Sequence, residues 1–225
     1  TWDPEKKADY AGEADEWERA TNALIAVLTR RGLPFKLCKG EAAFYGPKID
    51  MKLIDAIGRP WQLSTVQFDF NLPKKFEMEF VGSDGQRHRP LMVHRALYGS
   101  IERFFGILVE HYAGNFPLWL APTQVKILTL TEEQDVAAQA LKVKLEAAGL
   151  RVESDLRRER IGHKIRETTL EKVPYMVILG PKDVEAGTLA VRLRDGRQFN
   201  DRKPDDFVKK LTDEAATKQT TPVWE

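Results

Sequence analysis

In the first half of the chain the apolar residues keep two different periods, and each period implies an element. Between residues 13 and 31 they recur at helical spacing, with Trp17, Ala20, Leu24 and Leu28 on one stripe and acidic residues in the first turn, where the helix dipole favours them. Gly32 ends that helix. Ile49, Met51 and Leu53 then alternate with polar neighbours, Gly58-Arg59-Pro60 turns the chain, and residues 61–70 run extended, which predicts an antiparallel pair. A second hairpin is expected from residues 76–81 and 87–93 across Gly82-Ser83-Asp84-Gly85, with Phe76, Met78 and Phe80 on a buried face. Leu97, Ile101, Phe104, Leu108 and Tyr112 follow as a helical stripe that stops before Gly114. This half therefore reads as α+β, an antiparallel sheet with a helix on each flank.

The pattern changes after Pro117-Leu118-Trp119-Leu120-Ala121-Pro122, whose two prolines break both periods and place a domain boundary, giving domains 1–120 and 121–225. Strands are predicted over 125–130, 151–155, 175–179 and 188–193, and helices over 132–148 (closed by Gly149), 161–172 and 204–216. Strands alternating with helices at this spacing imply right-handed crossovers and an α/β fold with a mixed, largely parallel sheet. Residues 217–225 are polar and expected to fray.

Composition narrows the class. The 35 basic residues almost cancel the 34 acidic ones, so any nucleic-acid surface must be local. Cys38 is the only cysteine, which excludes an intramolecular disulfide and a cysteine-built zinc site and suits a reducing compartment. With no apolar run near the roughly 18 residues of a spanning helix and no signal peptide, a cytoplasmic protein with no membrane association is expected. The chain opens at Thr1, which points to a fragment of a longer protein.

Candidate chemistry concentrates in four places. Residues 92–104 pack His94, Arg95, Arg103, Glu102 and the pair Gly99-Ser100 around one strand-to-helix junction, and Arg has the fixed charge and forked donors suited to phosphate. Lys48 and Arg103, each taken alone, read as a solvated strand-end lysine and a helix-surface ion pair with Glu102 or Glu110. Thr65 and Gln67 share one strand face, as a polar floor in an apolar wall or as the wet face of a sheet; Gln62 falls on the opposite face unless a bulge intervenes. Of the four histidines, His88, His94, His111 and His163, any one alone is more often a hydrogen-bonded residue than a metal ligand, since tetrahedral zinc takes three or four protein ligands. Finally, Arg157, Arg158, Arg160, His163, Lys164 and Arg166 crowd around Gly162 at a helix entrance, as a phosphate site or as a solvated face paired with Glu159 and Glu167.

Residues 92–104 resemble the third signature motif of class II aminoacyl-tRNA synthetases. Ala43-Phe44-Tyr45-Gly46-Pro47-Lys48-Ile49 and residues 61–70 narrow the resemblance to the threonyl-tRNA synthetase family. It implies the latter part of a catalytic domain followed by an anticodon-binding domain, in a threonine–tRNA ligase of protein biosynthesis that uses ATP with Mg2+ to form threonyl-adenylate and charges tRNA(Thr). By the same resemblance Tyr45, Thr65 and Gln67 contact threonine; Gln62, Gly99, Ser100 and Arg103 contact ATP; Lys48 and Arg103 supply catalytic charge. His94 is one of three ligands to a Zn2+ that grips the substrate's amino group and hydroxyl, so that valine, lacking the hydroxyl, is rejected. Arg158, Arg160, Asp183 and Arg192 read the anticodon, Arg160 and Asp183 as chemical relatives of the family's lysine and acid. The first two class II motifs, the other two zinc ligands and an editing module should precede residue 1, so the chain alone is expected to be inactive and the parent a homodimer. The alternatives are a truncated relative that binds RNA as a regulatory module and, more remotely, a small-molecule ligase with no tRNA affinity.

Overall fold

The chain divides into two compact units, Thr1–Leu108 and a second beginning at Val109, in a computed structural model that describes residues 1–224. In the first unit α1 (Ala14–Arg30) starts from a capping box in which the Glu13 amide donates to Glu16 Oε2 at 2.9 Å. Its Trp17 is fully buried, stacked on Trp2 and edge-on to Tyr10 and Phe70, while its indole N–H donates to Ala11 O.

Strand β1 (Lys48–Ile54) pairs antiparallel with β2 (Pro60–Asp69), as the alternation predicts. The turn between them is organised by Asp55, whose carboxylate accepts the amides of Ile57 and Arg59, Nε of Arg59 and Nε1 of Trp61. The chain then forms a short helix α2 (Asn71–Lys75), the two-residue strands β3 (Phe80–Val81) and β4 (Arg87–His88), strand β5 (Met92–Ala96) and helix α3 (Ile101–Tyr112). Strand β5 pairs with β2, completing the sheet order β1-β2-β5.

The expected second hairpin is thus much shorter than its alternation suggested. Its first arm opens at Phe76, the cap of α2, and pairs only at Phe80–Val81, its second arm passes Pro90 into β5, and Phe76, Met78 and Phe80 are exposed. Alternating apolar residues mark a buried face only where something covers it, and here the three stay exposed, with the His88 ring beside Phe80. Leu97 lies outside α3, which buries Ile107.

In the second unit β6 (Val125–Thr129), α4 (Asp135–Ala147), β7 (Val152–Asp155), α5 (Ile161–Leu170) and β8 (Tyr175–Leu179) alternate as expected. They are followed by α6 (Pro181–Ala186), β9 (Leu189–Leu193), β10 (Gln198–Arg202) and α7 (Pro204–Ala216). The sheet order is β10-β9-β8-β6-β7, with β6 parallel to β7 and β8, and β9 antiparallel to β8 and β10. Tyr175, Val177, Phe207 and Leu211 lie at its core. The tail does not fray as its polarity suggested: Trp224 is buried against Phe199 and Phe207, its carbonyl accepting from Arg197, and the Val223 amide donates to Glu214. Glu225 lies outside the described residues.

Candidate functional site

The sheet register of the first unit assembles a polar face. Lys48, Asp50, Thr65, Gln67 and His94 are brought together because Lys48 pairs with Gln67, Asp50 with Thr65 and Gln67 with His94 across three strands. Asp50 is the hub: Lys48 Nζ lies 2.6 Å from Oδ2, while Thr65 Oγ1 donates to Oδ1 at 2.9 Å and Gln62 Nε2 at 2.8 Å. Tyr45 enters from the preceding loop and its hydroxyl donates to Gln67 Oε1 at 3.2 Å. That loop hugs β2 so tightly that a Cβ on Gly46 would stand 1.9 Å from Phe68 O, so only glycine fits beneath Tyr45. Gln67 is 7% exposed, and its Nε2 is a buried donor with no partner.

Simple alternation would turn Gln62 away from Thr65. The structure has the bulge that resolves this: Met51 pairs with Ser64 and Lys52 with Gln62, leaving Leu63 as the extra residue on β2. Gln62 therefore shares the face of Thr65, to whose Oγ1 its Nε2 also comes within 3.2 Å. The turn between β5 and α3 packs on this bulge. Gly99 has φ +69°, and a Cβ there would lie 2.9 Å from Leu63 O; the Ser64 hydroxyl donates to Leu97 O. The Ser100 side chain accepts the Arg103 amide at 3.2 Å, capping α3. Arg103 itself is exposed, its guanidinium 3.4 Å from Gln62 O and 5.9 Å from the Trp61 ring centroid. Gln62, Gly99, Ser100 and Arg103 thus meet at one corner of the polar face.

His94 lies beside Asp69, with Nε2 2.8 Å from Oδ2, and its ring is edge-on to Tyr45. Burial would raise the Asp69 carboxyl, but the amides of Leu72 and Asn71 and the His94 ring outweigh it and hold it below its ordinary range. Among the described residues no three His, Cys, Asp or Glu side chains come together as a metal would need. His94 with Asp69 makes one ligand and its outer partner, so these residues do not by themselves fit a zinc centre.

In the second unit the predicted anticodon residues are not all at one place. Arg158 and Arg160 follow the carboxyl end of β7 and Asp183 follows that of β8, the same end of two strands that both run parallel to β6. Arg192 pairs with Met176, toward the other end of β8. Asp183 accepts the Gly180 amide at 2.9 Å, capping α6, and Arg158 is ion-paired with Glu132. The basic cluster offers less free charge than its sequence suggests: Arg157 is held by Asp155 and Glu167, His163 lies within 4 Å of Glu159 and Glu167, and Lys164 is buried. Charges that crowd in sequence are here largely neutralised by neighbouring acids.

Two acids of the polar face, Asp50 and Asp69, escaped the sequence reading. The signal for Asp50 was present, since it sits two residues from Lys48 and opposite Thr65 in the predicted hairpin. Asp69 had a weaker one, two residues from Gln67 on the same face, but its role in capping α2 could not be seen without that helix.

The chain matches the family model of the tRNA synthetase class II core domain (G, H, P, S and T) over residues 8–112 and that of the anticodon binding domain over residues 124–214. It is 55% identical over 212 residues to the threonine--tRNA ligase of Acidobacterium capsulatum, covering 94% of this chain and 31% of that protein. It is 52% identical over 215 residues to that of Magnetococcus marinus, covering 96% and 33%. Among solved structures, the RNA binding domain of threonyl-tRNA synthetase from Cryptosporidium parvum matches with a TM-score of 0.82 at 34% identity, covering 91% of this chain and 52% of that one. The chain spans about a third of the length of the curated relatives it matches.

Proposed function

Because the chain belongs to the threonyl-tRNA synthetase family of class II aminoacyl-tRNA synthetases, we propose that it forms the carboxy-terminal part of a threonine–tRNA ligase. In that reaction a carboxylate oxygen of threonine attacks the α-phosphorus of ATP, the bond to the β-phosphate oxygen breaks, and pyrophosphate leaves; a hydroxyl of the terminal ribose of tRNA(Thr) then attacks the threonyl carbonyl, the bond to the phosphate oxygen breaks, and AMP leaves. The family implies ATP with Mg2+.

The observation that carries this reading is Gln67. Its Oε1 is engaged by Tyr45 and its Nε2 is buried without a partner, on the face that also holds Thr65 and Lys48. Buried polar atoms are almost always paired, so an open donor in a polar recess favours a ligand that brings an acceptor, such as the carboxylate or hydroxyl of an amino acid. Tyr45, Thr65 and Gln67 would orient threonine. Gln62, Gly99, Ser100 and Arg103, clustered at the bulge, would hold the nucleotide. Lys48 and Arg103 would place positive charge where the transition state gathers negative charge. The family would make His94 one of three ligands to a Zn2+ ion, but His94 with Asp69 supplies one ligand and its outer partner, so no step of this reading is assigned to a metal. A homodimeric parent in the cytoplasm goes with this reading.

The test is threonine-dependent ATP–pyrophosphate exchange by the protein that carries this chain, with valine as control. Gln67→Leu is expected to lower kcat/KM for threonine by about a hundredfold, because a site built around a hydrogen bond loses most when that bond cannot form. No exchange by the unaltered protein would overturn the ligase reading and leave RNA binding as the function to pursue.

A further inference from the structure

The loop that presents Arg158 and Arg160 stands on a buried cation that the proposed function does not use. Lys164, on the first turn of α5, is 1% exposed. Its ammonium donates to the main-chain oxygens of Thr129 and Asp155, each at 3.0 Å, and lies 3.9 Å from Asp155 Oδ1. Those carbonyls end the parallel strands β6 and β7, where the sheet hydrogen bonds run out. Asp155, itself buried, accepts the amide, Nε and Nη2 of Arg157, and Arg157 also reaches Glu167 Oε2 at 2.5 Å.

This lattice has two consequences. Lys164 and Arg157 balance Asp155 and Glu167, so it adds no net charge to an RNA-facing surface. Mechanically, both ends of the loop spanning residues 156–160 converge on Asp155. Arg157 binds its carboxylate at the start of the loop. Lys164, whose amide donates to Arg160 O at 3.2 Å, binds its carbonyl at the end. Between the two anchors, Arg158 and Arg160 project as exposed cations.

We propose that Lys164 is a positioning residue for anticodon recognition, setting the register of the β7–α5 loop so that Arg158 and Arg160 meet the bases of the RNA. The inference rests on the second unit acting as an anticodon-binding domain. A buried lysine that only satisfied carbonyls would contribute stability; one that sets the loop must also contribute discrimination.

The experiment compares the full 225-residue chain with its Lys164→Met and Arg157→Gln variants. The probe is a hairpin RNA with the anticodon stem-loop of a threonine tRNA, beside the same hairpin with the anticodon bases replaced. Dissociation constants are read by fluorescence anisotropy over a range of salt, with circular dichroism melts in parallel. Lys164→Met is expected to stay folded at the assay temperature and to lose about tenfold of the preference for the cognate loop, while keeping weak binding to both hairpins and an unchanged salt slope. Arg157→Gln, at an exposed position, is expected to shift the preference in the same direction by about threefold and decides the matter should Lys164→Met not fold. Preference retained in the folded variants, whatever their melting temperatures, would overturn the inference. So would a salt slope that falls by about one for Lys164→Met, since that marks direct phosphate contact. If the unaltered chain shows no preference between the hairpins, the anticodon reading fails first and the inference with it.

Discussion

The two units hold their shape by different means. In the second, Tyr175, Phe207, Leu211 and Trp224 belong to one closed apolar core. In the first, the enclosed apolar cluster is Trp17, Ala20 and Phe70, while Met51, Leu53, Ile54, Phe76 and Phe80 stand exposed. The candidate catalytic face lies in the less densely packed unit. Its order comes from side chains bonded to one another, Lys48, Gln62 and Thr65 on Asp50, Tyr45 on Gln67, and His94 on Asp69. A surface meant to receive a polar ligand cannot be filled with apolar packing, so its precision must come from a connected polar network.

The strongest way to break this contrast is to remove packing where packing is the support. Phe207→Ala should cost about 3–5 kcal/mol in the second unit, as expected for an aromatic lost from a closed core. Denaturant unfolding of variant and parent followed by far-UV circular dichroism checks it. In the first unit the comparable weak point is backbone approach. Gly46→Ala would press a methyl against Phe68 O and should cost about 1–3 kcal/mol, because the Tyr45 loop must lift from β2. It should also weaken threonine-dependent exchange, whereas Phe207→Ala should act through stability alone.

Buried carboxylates sharpen the comparison, since they are shifted in opposite directions. Asp69, held below its ordinary value of 3.8, contributes stability that is present above that pH and is lost as pH falls through its lower folded value. Asp69→Asn should therefore show its largest deficit near neutrality and lose it in acid. Glu214 is raised from 4.5 by burial, even though Tyr175 and the Val223 amide donate to it. Its contribution is complete below 4.5 and is lost as pH rises through the folded value. Glu214→Gln should thus gain on the unaltered chain as pH rises above 4.5. Melting temperatures of the two variants across pH check both signs; parallel curves for variant and parent would refute the assignment.

What could be read from the sequence follows the same division. Residues 175–179 and 204–216 were placed at their observed bounds, because a strand covered on both faces reads as an unbroken apolar run and Pro204 marks the first turn of its helix. The polar strand β10 and the six-residue α6 gave no periodic signal long enough to detect. On the candidate site, period-two alternation groups Thr65 with Gln67 and leaves the side of Gln62 to depend on a bulge, which only the register supplies, with Leu63 as the extra residue. Lys164 misled for a physical reason: within a run of cations it looks like surface, and only the carbonyls ending β6 and β7 explain why it is inside.

The smallest expected effect tests the hairpin that the alternation overstated. Phe76 is 70% exposed and caps α2 through its backbone, its amide donating to Leu72 O at 2.9 Å, a bond that does not depend on the ring. Phe76→Ser should change stability by no more than about 0.5 kcal/mol in this chain, since little apolar area leaves or enters water. A loss above about 1.5 kcal/mol, the low end for a fully buried phenylalanine, would mean that the ring has a partner face and that the longer hairpin forms in solution. The same variant in the protein that carries this chain separates two meanings of exposure. An unchanged stability there too would mark Phe76 as a tolerated surface aromatic. A loss seen only there would mark it as part of a face that another segment covers, which would account for an apolar alternation that stands exposed in this chain.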